Sequence, residues 1–138
     1  MTETAIELDQ VRVLLAHNGY DVSAQNQQVL KISEVDSGVT IRAVLEGNIL
    51  YFSLPCTVIP EKAITAALMR KMLAGDNGIS TSYFQLYPAG DGKMAITLSN
   101  FCKLQDMGPE DEDDILSCVH FLLVDVMQAR TVIGDVKA

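Results

Sequence analysis

The sequence predicts an α+β domain, an antiparallel sheet with helices packed against it, in the element order α-β-β-β-α-β-β-α. Three observations carry that reading. Apolar residues recur at helical spacing in two short segments and one long one; three β-rich runs follow one another with only turn chemistry between them; and two further runs flank a reversal rich in Gly and Asp. No repeat, low-complexity tract or linker composition divides the 138 residues, a length that suits one core, so a single domain over 1–138 is expected.

The first helix is expected over 6–16, where Leu8, Val11, Leu14 and Leu15 share a face and Asn18-Gly19 supply the left-handed stop. A polar stretch at 23–28 leads to strands at 29–35, 39–46 and 49–54. Asp36-Ser37-Gly38 and Gly47-Asn48 lie between them, and both tolerate positive φ, so the three form a meander. Pro60 suits a first helical turn, and Ile64, Ala67, Leu68, Lys71 and Met72 continue at helical spacing to Gly75. Strands at 80–87 and 93–99 flank the loop 88–92 and make a hairpin. After Pro109 come five acids, Glu110 to Asp114. In a first helical turn each is worth about 0.3–1 kcal/mol against the helix dipole. The long final helix then buries Ile115, Leu116, Val119, Leu122, Leu123, Val126 and Met127.

Composition limits the function classes. A hydrophobic share of 49% and a mean hydropathy of +0.21 exclude global disorder. The net charge of −8, from 18 acids and 10 bases with no run of Lys or Arg, disfavours nucleic acid and anionic membranes as partners. A basic partner segment is favoured by the same field. Cys56, Cys102 and Cys118 are an odd number at wide spacing, which signals neither a disulfide framework nor a zinc site and fits a reducing cytoplasm. Residues 1–15 lack a basic segment followed by an apolar one, and no run approaches ~18 uninterrupted apolar residues, so neither an export signal nor a membrane span is expected.

Chemistry-bearing patterns are few. The acids at 110–114 lack the alternating ligands and central Gly of a calcium loop, so no metal is expected. The loops at 74–78 and 89–92 join elements in the wrong order for a phosphate cradle, and no G-x-S-x-G occurs. His17 reads as a helix C-terminal cap, and His120 has no ligand-spaced neighbour. The expectation is a protein that is not an enzyme and carries no cofactor; a small cysteine-dependent enzyme using Cys56 or Cys102 with a histidine is the alternative. What remains is apolar surface. Hydrophobes fall on both faces of some strands, and Met69, Met72 and Leu73 exceed the strict stripe of the second helix. That surplus is either a deeper core or an oligomer interface with a partner groove.

The element order, small size and acidity resemble the type III secretion chaperone fold, including the related YbjN family of bacterial regulator candidates. The likeness is carried by Leu14-Leu15 with Asn18-Gly19-Tyr20, by Tyr51-Phe52-Ser53-Leu54-Pro55 and by the block 64–77. It continues through Phe84-Gln85-Leu86, Asp91-Gly92-Lys93-Met94 and Ala95-Ile96-Thr97-Leu98 to a final amphipathic helix, spanning about residues 6 to 131. The resemblance implies a homodimer that binds a peptide segment of another protein, with Leu8, Val11, Val39 and Ile41 on the peptide surface. It also implies a dimer contact through Leu68, Met69, Met72 and Tyr83. The chain departs from the chaperone pattern at 100–108, where Phe101-Cys102-Lys103-Leu104 replaces a short Leu-Pro-Leu-like link. A YbjN-type regulator or adaptor with no secretion client is the alternative.

Overall fold

In the computed structural model, residues 6–134 are described. The elements are α1 (Leu8–His17), β1 (Asp21–Ala24), β2 (Val29–Ser33), β3 (Thr40–Glu46), β4 (Ile49–Pro60), a 3-10 turn (Glu61–Ala63), α2 (Ala66–Leu73), β5 (Tyr83–Gly90), β6 (Lys93–Lys103) and α3 (Pro109–Ile133). The architecture is α+β, with an antiparallel sheet of six strands in the order β1-β2-β3-β4-β6-β5. Every expected element is present. One strand is added: β1 lies in and just before the stretch read as polar, and pairs Val22 with Ile32 and Ala24 with Leu30. It carries almost no apolar signal because it is a largely exposed edge strand.

Several boundaries differ from expectation: β2 ends at Ser33 rather than 35, β5 is Tyr83–Gly90 rather than 80–87, β6 runs to Lys103 rather than 99, and two prolines account for two further differences. Pro60 does not open α2. Its extended backbone (φ −57°, ψ 142°) precedes the 3-10 turn, and α2 starts after Thr65, whose Oγ1 accepts the Leu68 N–H at 3.1 Å. Strand β4 runs past Pro55, which a central strand usually excludes because proline has no N–H for the ladder. The pairing of β3 with β4 extends only to Ser53, so that missing donor costs no bond to β3.

The chain forms two compact units. The first comprises residues up to Ser53 together with Phe101–His120. Burial alternates strictly along β3, while β2 buries Val29 as well as Leu30. Leu30, Ile32, Ile41, Ala43, Leu45, Leu50 and Phe52 are buried, and the register Leu30↔Ala43↔Phe52 and Ile32↔Ile41 puts them on one face. Burying a side chain of Leu or Phe size contributes roughly 1.5–3 kcal/mol. Helix α1 buries Leu8, Val11 and Leu15 and packs on β1 and β2. It stops where the Tyr20 N–H reaches the Leu15 carbonyl past Gly19, at φ +92°. Of α3, this unit buries Ile115 and Val119. The link before α3 is closed by buried Asp111, whose Oδ2 accepts the N–H groups of Gln105 (2.7 Å), Asp106 (2.9 Å) and Met107 (2.8 Å). Met107 sits at φ 58°, a left-handed backbone that this chelation holds in place.

The second unit comprises Leu54–Asn100 and the chain from Phe121. Its core is Ile59, Leu68, Met72, Ile96 and Ile133, with Phe84 and Leu86 packed against it. The β5–β6 hairpin reverses at Asp91 (φ 53°) and Gly92 (φ 70°), both left-handed as the tightest hairpin turns require. The segment before β5 is pinned from α3: Asp125 accepts the Ser80 N–H and hydroxyl at 3.0 Å, and Gln128 Nε2 donates to the Asn77 carbonyl at 2.9 Å.

Helix α3 bears on the expectation of no membrane span. Among the described residues it is the one helix long and apolar enough to cross a membrane, with 25 residues and a mean hydropathy of 1.4 in its richest window. Here it serves as a core helix: Ile115, Val119, Leu122, Val126, Ala129 and Ile133 repeat every three or four residues and are buried, while Val124 and Met127 are exposed. Of the N-terminal segment read for an export signal, residues 1–5 lie outside the described residues.

Candidate functional site

The chemistry-bearing side chains come first. Cys56 is half-buried, and burial pushes its thiol up to about 11, against small opposing effects from the Leu98 backbone and Arg130. Cys102 and Cys118 meet within the first unit. The Cys102 thiol donates to the Cys118 sulfur, which together with burial and the nearby Asp114 and Asp111 drives Cys102 far above the ordinary thiol range. The same hydrogen bond holds Cys118 below it, against burial and Asp114. The two cysteines named as candidate nucleophiles are therefore the two held as neutral thiols, which is the opposite of activation. His17 and His120 are exposed. Among the described residues, no group of three or more His, Cys, Asp or Glu side chains converges as a metal site would.

The residues implied by resemblance divide by burial. Leu8 (7% exposed), Val11 (0%) and Ile41 (1%) lie in the core of the first unit, so the expectation that they form a surface for peptide is corrected. Only Val39 of that set is part-exposed. Leu68 and Met72 belong to the core cluster of the second unit, while Met69 and Tyr83 are exposed. The physical reason is shared: periodicity identifies which residues point the same way, and packing decides which direction is inward.

What sequence reasoning missed is the outer face of the sheet in the first unit. Alternation sends Lys31, Arg42, Val29, Val44 and Tyr51 opposite to the core residues, and the register aligns them in two rows. One row runs Ser23, Lys31, Arg42, Ser53 across β1 to β4. The other runs Val29, Val44, Tyr51, and Phe101 on β6 meets Tyr51 with ring centroids 6.1 Å apart and planes inclined at 42°. Lys31 and Arg42 line an open depression of about 320 Å³ with Gln25, Asn26, Val29 and Thr40. Among the described residues neither cation has a carboxylate partner, whereas Arg12 is paired to Asp9 at 2.7 Å. Two like charges directly opposite on adjacent strands repel by roughly 0.5–1 kcal/mol in water. A larger depression of about 630 Å³ in the second unit carries Glu61 and Asp91 beside Lys62 and Lys93, so its charges cancel.

No family model matches this chain, and no curated protein matches its sequence. Among solved structures it is similar to the crystal structure of YbjN from E. coli, described as a candidate transcription regulator, with a TM-score of 0.63 and 19% identity. The alignment covers 96% of this chain and 92% of that one. The fold is therefore YbjN-type. A TM-score of this size over nearly the full length of both chains places the six-stranded sheet and its helices in the YbjN arrangement, while identity this low speaks to fold alone. The YbjN-type likeness expected from the sequence is thus found in the structure.

Proposed function

We propose that this chain is a non-enzymatic protein-binding module that works in the cytoplasm as a homodimer and takes up a segment of another polypeptide. The observation that carries the reading is the apolar surface of the second unit. Strand β5 is a sheet edge, and its Tyr83 and Tyr87 are 40% and 45% exposed; on α2, Leu73 is 77% exposed beside the partly exposed Met69. An edge strand offers unpaired N–H and C=O groups to a second chain, and large exposed apolar side chains are costly to leave in water. The dimer contact of this reading is β5 with the outer side of α2, so Met69 and Tyr83 touch the second copy while Leu68 and Met72 support them from within.

The regulator description of the YbjN structure supports a role through contact rather than chemistry. The raised thiols of Cys56 and Cys102 point the same way, and the net charge of −8 favours protein over nucleic acid as the partner. Sedimentation equilibrium at micromolar concentration tests the reading. A dimer is expected, with an interface of roughly 1,200–2,000 Å². Leu73→Glu combined with Tyr83→Glu should give a folded monomer, and a strict monomer in the unaltered chain would sink the proposal.

A further inference from the structure

We propose that the outer sheet face of the first unit is a docking site for an acidic, extended segment of a partner polypeptide. Its carboxylates would sit on Lys31 and Arg42, and a neighbouring large apolar side chain on Tyr51 and Phe101. This deepens the protein-binding reading and rests on it.

The first support is charge. In a chain of net charge −8, the register sets two cations opposite one another without a carboxylate on either among the described residues, and flanks them with Ser23 and Ser53 in the same row. Arginine presents a planar fork that matches a carboxylate with two parallel hydrogen bonds, and lysine and the two hydroxyls can complete its coordination. The second support is spacing. On β3, Arg42 and Val44 are two residues apart, so the cationic and apolar rows are separated by about 7 Å, the repeat at which an extended peptide presents successive side chains on one face. A segment with an acid at one position and a large apolar residue two positions on meets both rows at once.

The third support is what the face would reject. A free phosphate gains nothing from the Tyr51–Phe101 pair, and the net charge of −8 opposes any anion at long range. A nucleic-acid polyanion meets that field along its whole length, a short acidic segment at only a few charges, which the local Lys31 and Arg42 must outweigh. The face also carries Asp21, two residues before Ser23 on β1, and Glu46, two residues beyond Val44 on β3, so the acid of the segment belongs on the Lys31–Arg42 row and its apolar anchor on Tyr51 and Phe101. Lys103, on β6 two residues beyond Phe101, adds a further cation to that side.

The probe is a fluorescein-labelled nine-residue peptide alternating glutamate and threonine around central phenylalanines, followed by fluorescence anisotropy against the full chain. Saturable binding is expected, weakening about tenfold or more with Lys31→Glu plus Arg42→Glu, and similarly when the glutamates become glutamines. Both altered side chains are exposed, so unchanged thermal melting should accompany the loss. Tyr51→Ser should weaken binding separately and leave its salt dependence in place. No saturable binding, equal affinity for the glutamine peptide, or complete displacement by about 10 mM inorganic phosphate would each overturn the site. Sedimentation of the same samples separates the two readings: a dimer that ignores the acidic peptide discards this site alone, and a monomer that binds it discards the dimer alone.

Discussion

In the first unit the α3 carboxylate Asp111 accepts three consecutive backbone N–H groups; in the second, Asp125 further along the same helix accepts the N–H and hydroxyl of Ser80. Both tie a loop to the helix, because a buried carboxylate finds its partners in the loop's backbone N–H groups. The units differ in what surrounds the tether. In the first, alternation along β3 and the start of β4 separates a buried apolar face from one that carries Arg42 beside Val44 and Tyr51. In the second, the alternation of β4 shifts phase between buried Leu54 and buried Ile59, β5 is nowhere fully buried, and most of the exposed large hydrophobics gather there, Val58, Leu73, Tyr87 and Met127 among them. Where the period of two is kept, one face is buried throughout; where it breaks, more large apolar side chains are left exposed.

The contrast can be broken most forcefully at Ile41. Ile41→Asp buries a charge in the regular unit and should cost about 3–5 kcal/mol, read as a lowered urea midpoint together with loss of far-ultraviolet ellipticity. A folded Ile41→Asp protein would mean that this face is not the core. Next in size is Asp111→Asn, expected to destabilise by about 1–2 kcal/mol in urea unfolding, since a buried charged acceptor of three part-buried N–H bonds is replaced by a weaker one.

Asp111 also gives a pH signature. Burial pushes its carboxyl up, but the N–H groups of Gln105, Met107 and Asp106 more than offset that and hold it below the ordinary aspartate value. Its folded-state value being the lower one, the stabilisation is complete above the unfolded value, fades as pH falls below about 4 and is gone once pH passes the folded value. Asp111→Asn should remove that share of the acid sensitivity, so equal slopes of stability against pH in both proteins would refute the tether.

In the second unit, Gly78→Ala tests the tether from the other side. Gly78 has φ +85°, and an added Cβ would stand 2.7 Å from the Gln128 Nε2 that bonds Asn77. A loss of about 1–2 kcal/mol is expected, visible as a melting temperature several degrees lower. The smallest effect compares thiols. At about pH 7.5 iodoacetamide should modify Cys118 about tenfold faster than Cys56, by peptide mass mapping, because one thiol is lowered by its neighbour and the other raised by burial. Faster labelling of Cys56 would show that the second unit opens around it.

How much was legible varies by element. The hairpin turn at Asp91-Gly92 and the start of α3 at Pro109 could be read directly, because positive φ and proline chemistry are local. Strand β1 could not, since exposed edge residues such as Asp21 and Ser23 carry no period, and only the β2 edge makes them a strand. The inward direction was equally hidden: helical spacing groups Leu68 with Met72 and Met69 with Leu73, but nothing local says that the first pair faces the core. The candidate binding face was least legible, for Lys31 and Arg42 belong to different strands and no basic run announces them.

The sequence by itself determined every secondary element but β1, their order and the acidic, apolar character of the chain, because turn chemistry, caps and periodicity act within a few residues. Tertiary structure alone decided which face of each element is buried, that Asp111 and Asp125 bond to backbone, and that two cations and two aromatic rings share one surface. Those outcomes depend on register and packing between segments far apart in the chain, where a one-residue slip would send each strand side chain to the opposite face.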